Sequence, residues 1–323
     1  MKIIGTGRYA PGAPLRASDC DVAYDHAEGT VARLTGVMSR HVCSQGDTQI
    51  TMGTAAAEQA MASAGVTVQD IDLIISAAAV PYQPIPATSP AYQAALGITD
   101  GQVFAFDVNA TCLSFVTALD VCAGMLARGP YRTALIISSE VASAALPWRT
   151  RPDIAGLFGD GAAAVVVTAD EAPFHARFST FASGYNICGI GAGGTRFNFE
   201  REAEAFAAHS LFDMDGKALF RLTTQVFNPF VSRLLDDVGW ARDEVDLVVP
   251  HQASPKALQH MIRQCGFAPG AVVDISQTFG NQIAASIPFA LDHACDRLRP
   301  GAKVLMLGTS AGVSFGGAAL EWA

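Results

Sequence analysis

Charge is scarce in this sequence. Only 16% of its 323 residues are charged, and the balance is acidic, with 21 Lys and Arg against 30 Asp and Glu and a net charge of −9. Such a chain lacks the basic field that non-specific nucleic-acid binding requires, so no nucleic acid is expected as a partner and a polyanionic one must meet a local cluster of cations. Half the residues are apolar, which excludes intrinsic disorder. Long hydrophobic runs are also missing. The longest, such as residues 73–81 and 162–167, fall far short of the roughly 20 residues that cross a bilayer, so no membrane span is expected and these runs read as buried strands. The opening MKIIGTG reaches glycine after two apolar residues, too little for a signal-peptide core. Cysteines never come as CxxC. Seven of them, an odd number, stand singly at Cys20, Cys43, Cys112, Cys122, Cys188, Cys265 and Cys295, a pattern that fits a reducing compartment and a cytoplasmic location better than a disulfide framework.

What the chain does contain is an echo of itself. A helical run over residues 54–64 is followed by Gly65 and the strand-like DIDLII, and a second over 229–238 by Gly239 and DEVDLVV; the step from Gly65 to Gly239 equals that from Asp72 to Asp246. Phe106-Asp107-Val108 leading to Ala118-Leu119-Asp120 has its counterpart in Val273-Asp274-Ile275 leading to Ala290-Leu291-Asp292, and the runs 134–138 and 303–307 close the two halves. At about 150 residues per domain the length suits two units, and the alternation of helix and strand predicts two α/β halves, 1–170 and 171–323, with largely parallel sheets. Ligands collect at the loops after corresponding strands of such sheets, so the site is expected where the halves meet.

Three loops carry candidate chemistry. Cys112 follows the strand 103–108 and precedes an apolar helical stretch over 113–126, where the positive end of the helix is expected to favour thiolate over thiol. His251 ends the strand VVP of the second half. Gly280-Asn281 lies between a strand around Asp274 and a helix over 284–298, and brings a carboxamide to the same region. Cys122, Cys265 and Cys295 read as structural cysteines.

The segments DVNATCLSF (107–115), FGDGA (158–162), VPHQA (249–253) and FGNQIAASIP (279–288), with the opening KIIGTGRYAP and the stretch LTG to RH over 34–41, resemble the signatures of the β-ketoacyl-acyl carrier protein synthase III family. The resemblance implies a thiolase-like fold, two duplicated α/β halves in αβαβα layers, and a ping-pong reaction. An acyl group from acyl-CoA or an acyl-acyl carrier protein passes to Cys112; a malonyl-CoA or malonyl-carrier thioester then loses carbon dioxide and condenses with it. By the same resemblance His251 and Asn281 donate hydrogen bonds to the developing enolate, and the backbone N–H groups of Cys112 and Ala311 form the oxyanion hole. No metal or redox cofactor is implied. Arg221, Lys256 and Arg263 match the cations that dock an acidic acyl carrier protein, and the family pairs as a homodimer in which the loop 81–90 lines the neighbour's pocket.

The chain departs from the family pattern at several points. Thr30 and Leu34 stand where many members have a tryptophan and an arginine at the coenzyme A adenine, Thr309 where many have a gating phenylalanine, and Ser254 where PHQAN would end in asparagine. The glycine-rich strand end becomes Ser310-Ala311-Gly312-Val313. Ile85 replaces a bulky phenylalanine of the acyl pocket, which predicts room for a longer or wider primer. Alternatives are a Cys-His acyltransferase passing its acyl group to a hydroxyl or amine, a non-decarboxylative acyl condensation in secondary metabolism, and a non-catalytic partner subunit of the same fold. Gly308-Thr309-Ser310-Ala311-Gly312 matches the GxSxG elbow of serine hydrolases, but the short stretch after Ser310 contains no histidine to complete a triad. The run Gly189 to Gly194 lacks the βαβ frame of a dinucleotide site and reads as a loop.

Overall fold

The computed structural model describes residues 1–322. Two sheets dominate it. The first is built from β1 (Lys2–Tyr9), β2 (Leu73–Ser76), β3 (Phe104–Asp107), β4 (Thr133–Glu140) and β5 (Gly161–Thr168), in the spatial order β1-β5-β4-β2-β3. The second contains β6 (Phe174–Thr180), β7 (Leu247–Pro250), β8 (Lys303–Ser310) and β9 (Ser314–Glu321), in the order β6-β9-β8-β7. Laid side by side, β1, β5, β4 and β2 correspond to β6, β9, β8 and β7, with the same pattern of two antiparallel pairs followed by a parallel one. Only β3 lacks a full counterpart. The expected strand around Asp274 shrinks to one bridge, Val248 to Val272, because the chain turns at once into the short helix Ser276–Phe279.

Six helices complete the layers: α1 (Gln49–Ala64), α2 (Ser89–Ala95), α3 (Ser114–Arg128), α4 (Gly216–Val238), α5 (Pro255–Cys265) and α6 (Ser286–Ala294). Strand side chains alternate faces with a period of two, and both faces here are apolar. Leu73, Ile75, Ala134 and Ile136 of the first sheet, with Leu247, Val249, Val304 and Met306 of the second, pack inward on α3 and α6. Ile74, Leu135 and Ile137 face outward onto α1 and α2, and Val248, Leu305 and Leu307 onto α4 and α5. The result is the expected αβαβα stack. Thr111–Arg128 is, among the described residues, the one helical stretch long and apolar enough to cross a membrane, and here it forms part of the innermost layer.

Several boundaries differ from the expectation. α4 starts at Gly216, well ahead of Pro229, at an N-cap where the Asp215 carboxylate accepts from the N–H groups of Lys217 and Ala218, so the proline sits inside the helix instead of opening it. The helix expected over 284–298 resolves into α6 flanked by 3-10 turns Ile283–Ala285 and Cys295–Arg297. Gly65 and Gly239 do close α1 and α4 alike, with φ of 67° and 68°, a conformation that glycine adopts without steric cost. Cys122 and Cys265 are buried, whereas Cys295 is only partly so.

β1 lies directly on α1, and Gly5 and Gly7 make that approach possible: a Cβ on either would run into the carbonyl oxygens of Ala60 or Ala56. Gly7→Ala is expected to lower stability by about 1–3 kcal/mol, the usual cost of overpacking a tight contact. Urea denaturation of the two proteins measures it.

Candidate active site

The turn that carries Cys112 is fixed by its neighbours' polar groups. Asn109 Oδ1 accepts from the Thr111 N–H at 2.9 Å, and Ser114 Oγ accepts from the Ala110 N–H at 3.0 Å. Thr111 is held at φ 52°, a left-handed conformation that a β-branched residue rarely adopts and that marks a constrained turn. From this turn the sulfur projects toward the second half. The N–H dipoles of Cys112 itself and of Ala311 favour negative charge on it. These are the two groups that the family resemblance assigns to the oxyanion hole.

His251 emerges where β7 ends, its N–H donating to Leu307 O at 2.7 Å on the adjacent β8. Gly308, next along β8, allows the halves to touch: a Cβ there would lie 2.8 Å from Leu113 Cδ2 and 3.3 Å from His251 Cβ. Asn281 arrives from the turn before α6. Its Oδ1 accepts from the Ile283 N–H at 2.8 Å, while Nδ2 has only a long 3.5 Å contact with Ala253 O, two residues beyond His251. The FGDG segment braces this turn from the first half, with Asn281 N–H donating to Leu157 O and Gly159 N–H to Asn281 O. Cys112, His251 and Asn281 thus reach one crevice from three different loops.

Exclusion of water decides how these groups titrate. Burial pushes the Cys112 thiol up to about 12, with Cys188 and Glu140 nearby adding to the effect and the two N–H groups opposing it. The expected thiolate is therefore not the resting form. α3 begins at Ser114, beyond the sulfur, and its N-terminal field does not outweigh desolvation. Burial likewise lowers His251 to about 4, and its Nδ1 is enclosed without a partner, so the imidazole is neutral.

The remaining expected residues lie elsewhere. Ile85 is 87% exposed and is not in the wall of the cavity of about 290 Å³ beside Asp107 and Asn109, which Pro81, Gln83, Pro84, Ala87 and Thr88 help to line. The single chain does not bring it to Cys112. Arg221 on α4 and Lys256 and Arg263 on α5 are exposed on neighbouring helices, and none has an acidic partner within 4.0 Å among the described residues. Lys256 Nζ donates to Leu34 O at 2.9 Å. The GxSxG serine belongs to a hairpin in which Ser310 pairs with Ser314, not to a strand-to-helix elbow. Sequence reasoning overlooked Glu140, a buried carboxylate at the end of β4; a charged residue closing the apolar run 134–138 was the available signal.

Two like α/β halves, one bringing a cysteine and the other a histidine and an asparagine to a common crevice, define the class of thiolase-fold enzymes. The comparisons narrow the class. Residues 106–184 match the family model for 3-oxoacyl-[acyl-carrier-protein] synthase III, and residues 235–322 the model for its C-terminal part. The chain is 30% identical to a β-ketoacyl-[acyl-carrier-protein] synthase III of Neisseria gonorrhoeae, covering 99% of both, and 34% identical to synthase III 3 of Streptomyces coelicolor, covering 99% of this chain and 96% of that one. Among solved structures it is similar to the 3-oxoacyl-[acyl-carrier-protein] synthase III of Aquifex aeolicus, with TM-score 0.87, 29% identity and 99% of both chains covered. It is also similar to the priming β-ketosynthase of the R1128 polyketide pathway, with TM-score 0.90, 26% identity and 99% and 96% covered. The chain belongs to the 3-oxoacyl-[acyl-carrier-protein] synthase III family.

Because thiolate is the reactive form and the Cys112 thiol titrates far above neutrality, alkylation of the unacylated protein by iodoacetamide is expected to be slow at pH 7. It should quicken about tenfold per pH unit up to pH 9, well below the midpoint. Peptide mass analysis at Cys112 follows it; a rate that levels off below pH 8 would contradict the raised value.

Proposed function

We propose that this protein is an acyltransferase that condenses acyl thioesters in two half-reactions. In the first, Cys112 Sγ attacks the thioester carbonyl, the thiol proton leaves with the departing carrier thiol, and an acyl-Cys112 forms. In the second, a malonyl thioester loses carbon dioxide, the enolate carbon attacks the acyl carbonyl, and Cys112 leaves as the 3-oxoacyl thioester is released. Each step develops negative charge on oxygen in a dry crevice, where preorganised donors contribute most. The Cys112 and Ala311 N–H groups suit the tetrahedral oxyanion on the first carbonyl. His251 and Asn281 suit the enolate oxygen of the malonyl thioester. A neutral His251 can donate to that oxygen without leaving a buried cation when the charge has moved on. One observation carries the assignment of condensation over transfer to a hydroxyl or amine: the Asn281 carboxamide has its oxygen anchored by Ile283 and its N–H₂ left for substrate.

The substrates follow from that reading: an acyl-CoA or acyl-carrier primer and a malonyl-CoA or malonyl-carrier extender, with no metal or redox cofactor. Arg221, Lys256 and Arg263 on α4 and α5, which form no ion pair among the described residues, suit an acidic carrier protein, whose attraction to them offsets the net charge of −9. Ile85, exposed in the single chain, would shape the acyl pocket of a second copy in a homodimer, and its small side chain favours primers longer than acetyl.

Intact mass after incubation with a series of acyl thioesters, with and without malonyl thioester, tests the reading. Cys112→Ala should carry no adduct. His251→Ala and Asn281→Ala should still acylate Cys112 but lose condensation by about 100-fold or more, as when an oxyanion donor is removed. An adduct that malonyl thioester does not discharge into a carbon–carbon product would overturn it. In a separate assay, charge reversal at Arg221, Lys256 and Arg263 together should raise KM for carrier-bound malonyl about tenfold and leave the coenzyme A thioester unaffected, because attraction acts on encounter.

A further inference from the structure

Glu140 takes no part in the steps above, yet it is 1% exposed at the end of β4, close to the sulfur. Its carboxylate accepts from the Ala79 N–H at 2.6 Å, and the N–H dipoles of Val80 and Ala284 also favour its charged form. Those donors lead to both sides of the crevice. Ala79 O accepts from Asn109 Nδ2 at 2.9 Å, Asn109 Oδ1 in turn holds the Thr111 N–H, and Ala78 O accepts from Ser114 Oγ at 3.2 Å, so the segment grasped by Glu140 supports the turn that presents Cys112. On the other side, the Ile283–Ala285 turn packs against β4. Its first N–H fixes the Asn281 carboxamide and its second, on Ala284, favours the charged form of Glu140.

We propose that Glu140 is a positioning residue: its carboxyl ties the Cys112 turn of one half to the Asn281 turn of the other and holds the nucleophile and the enolate donor in register. The inference rests on the condensing-enzyme reading for its catalytic consequence, but the tie itself is a matter of one hydrogen bond, the packing of the Ile283–Ala285 turn and the N–H dipoles around the carboxyl. When the carboxyl is ionised, one charge-assisted hydrogen bond and two further N–H dipoles converge on it from both sides of the seam. Burial, with the charge of Asp160 adding to it, raises the carboxyl to about 8 against the pull of the three donors. The other groups facing it are the Cys112 thiol and the buried Tyr92 phenol. Asp160 is itself held by the Cys43 and Ser143 N–H groups and by Ser143 Oγ. The tie is therefore strongest above the midpoint, where the carboxyl is charged, and weakens as it protonates.

Two measurements test this. In the unmodified protein the amide resonances of Ala79, Val80 and Ala284 should move with one shared midpoint near pH 8, and that shared movement should vanish in Glu140→Gln. In steady state above pH 8, where the unmodified carboxyl is charged, Glu140→Gln should lower kcat for condensation by about 10- to 100-fold, the scale of a small misplacement of reacting groups, with KM little changed and the inflection near pH 8 gone. Glu140→Asp, which keeps the charge but shortens the reach, should retain the inflection at reduced kcat, and carries the kinetic test should the glutamine variant not fold. Amides that titrate independently, or variants with unchanged kcat and pH profile, would overturn the proposal. The resonances report on it whether or not the protein makes a carbon–carbon bond, so a failure of the condensing reading shows separately, as absent product from the unmodified protein.

Discussion

Dryness of the crevice between the two sheets governs the chemistry. It moves each ionisable group there toward its uncharged form: the Cys112 thiol and the Glu140 carboxyl upward, the His251 imidazole downward. A site at rest is thus nearly free of formal charge, although every step proposed for it creates an oxyanion. The two conditions fit together, because a low-dielectric pocket magnifies whatever fixed dipoles it contains. The N–H groups on the sulfur and the Asn281 carboxamide are such dipoles, already oriented before substrate arrives.

That orientation comes from the strands. The loops after β3, β7 and β8 and the turn before α6 carry the groups of the crevice. Short polar side chains set the loops: Asn109 and Ser114 around the cysteine, Asn281 through its own Ile283 contact. Gly308 keeps the seam narrow, since any side chain there would push Leu113 away from His251.

Much of this was legible in the sequence. The fold showed itself because strands buried on both faces are continuous apolar runs, and because Gly65 and Gly239 mark equivalent helix ends. Cys112 and His251 could be found since each lies just past such a run, and Asn281 since it sits in the loop before an apolar helix. Glu140 left only a faint signal, a charge closing an apolar run, because what surrounds it is backbone N–H groups on segments remote along the chain, around Ala79 and Ala284, and main-chain groups leave no trace in residue identity. The thiol's titration was misjudged for a related reason: a helix start is visible in a sequence, but the amount of water around a sulfur is a property of the packed whole. Pro229 misled through local preference, which the amphipathic packing of α4 overrides.

The shared innermost layer, α3 and α6 pressed between the sheets, has a consequence for how this chain can come apart. Along the polypeptide there are two copies of one plan, yet α3 belongs to the first, α6 to the second, and a single apolar cluster encloses both. Severing the chain between β5 and β6 would leave each fragment with a greasy flank facing solvent and half a reaction centre. What the sequence shows as two like halves is therefore one packed body, whose innermost layer neither half buries alone.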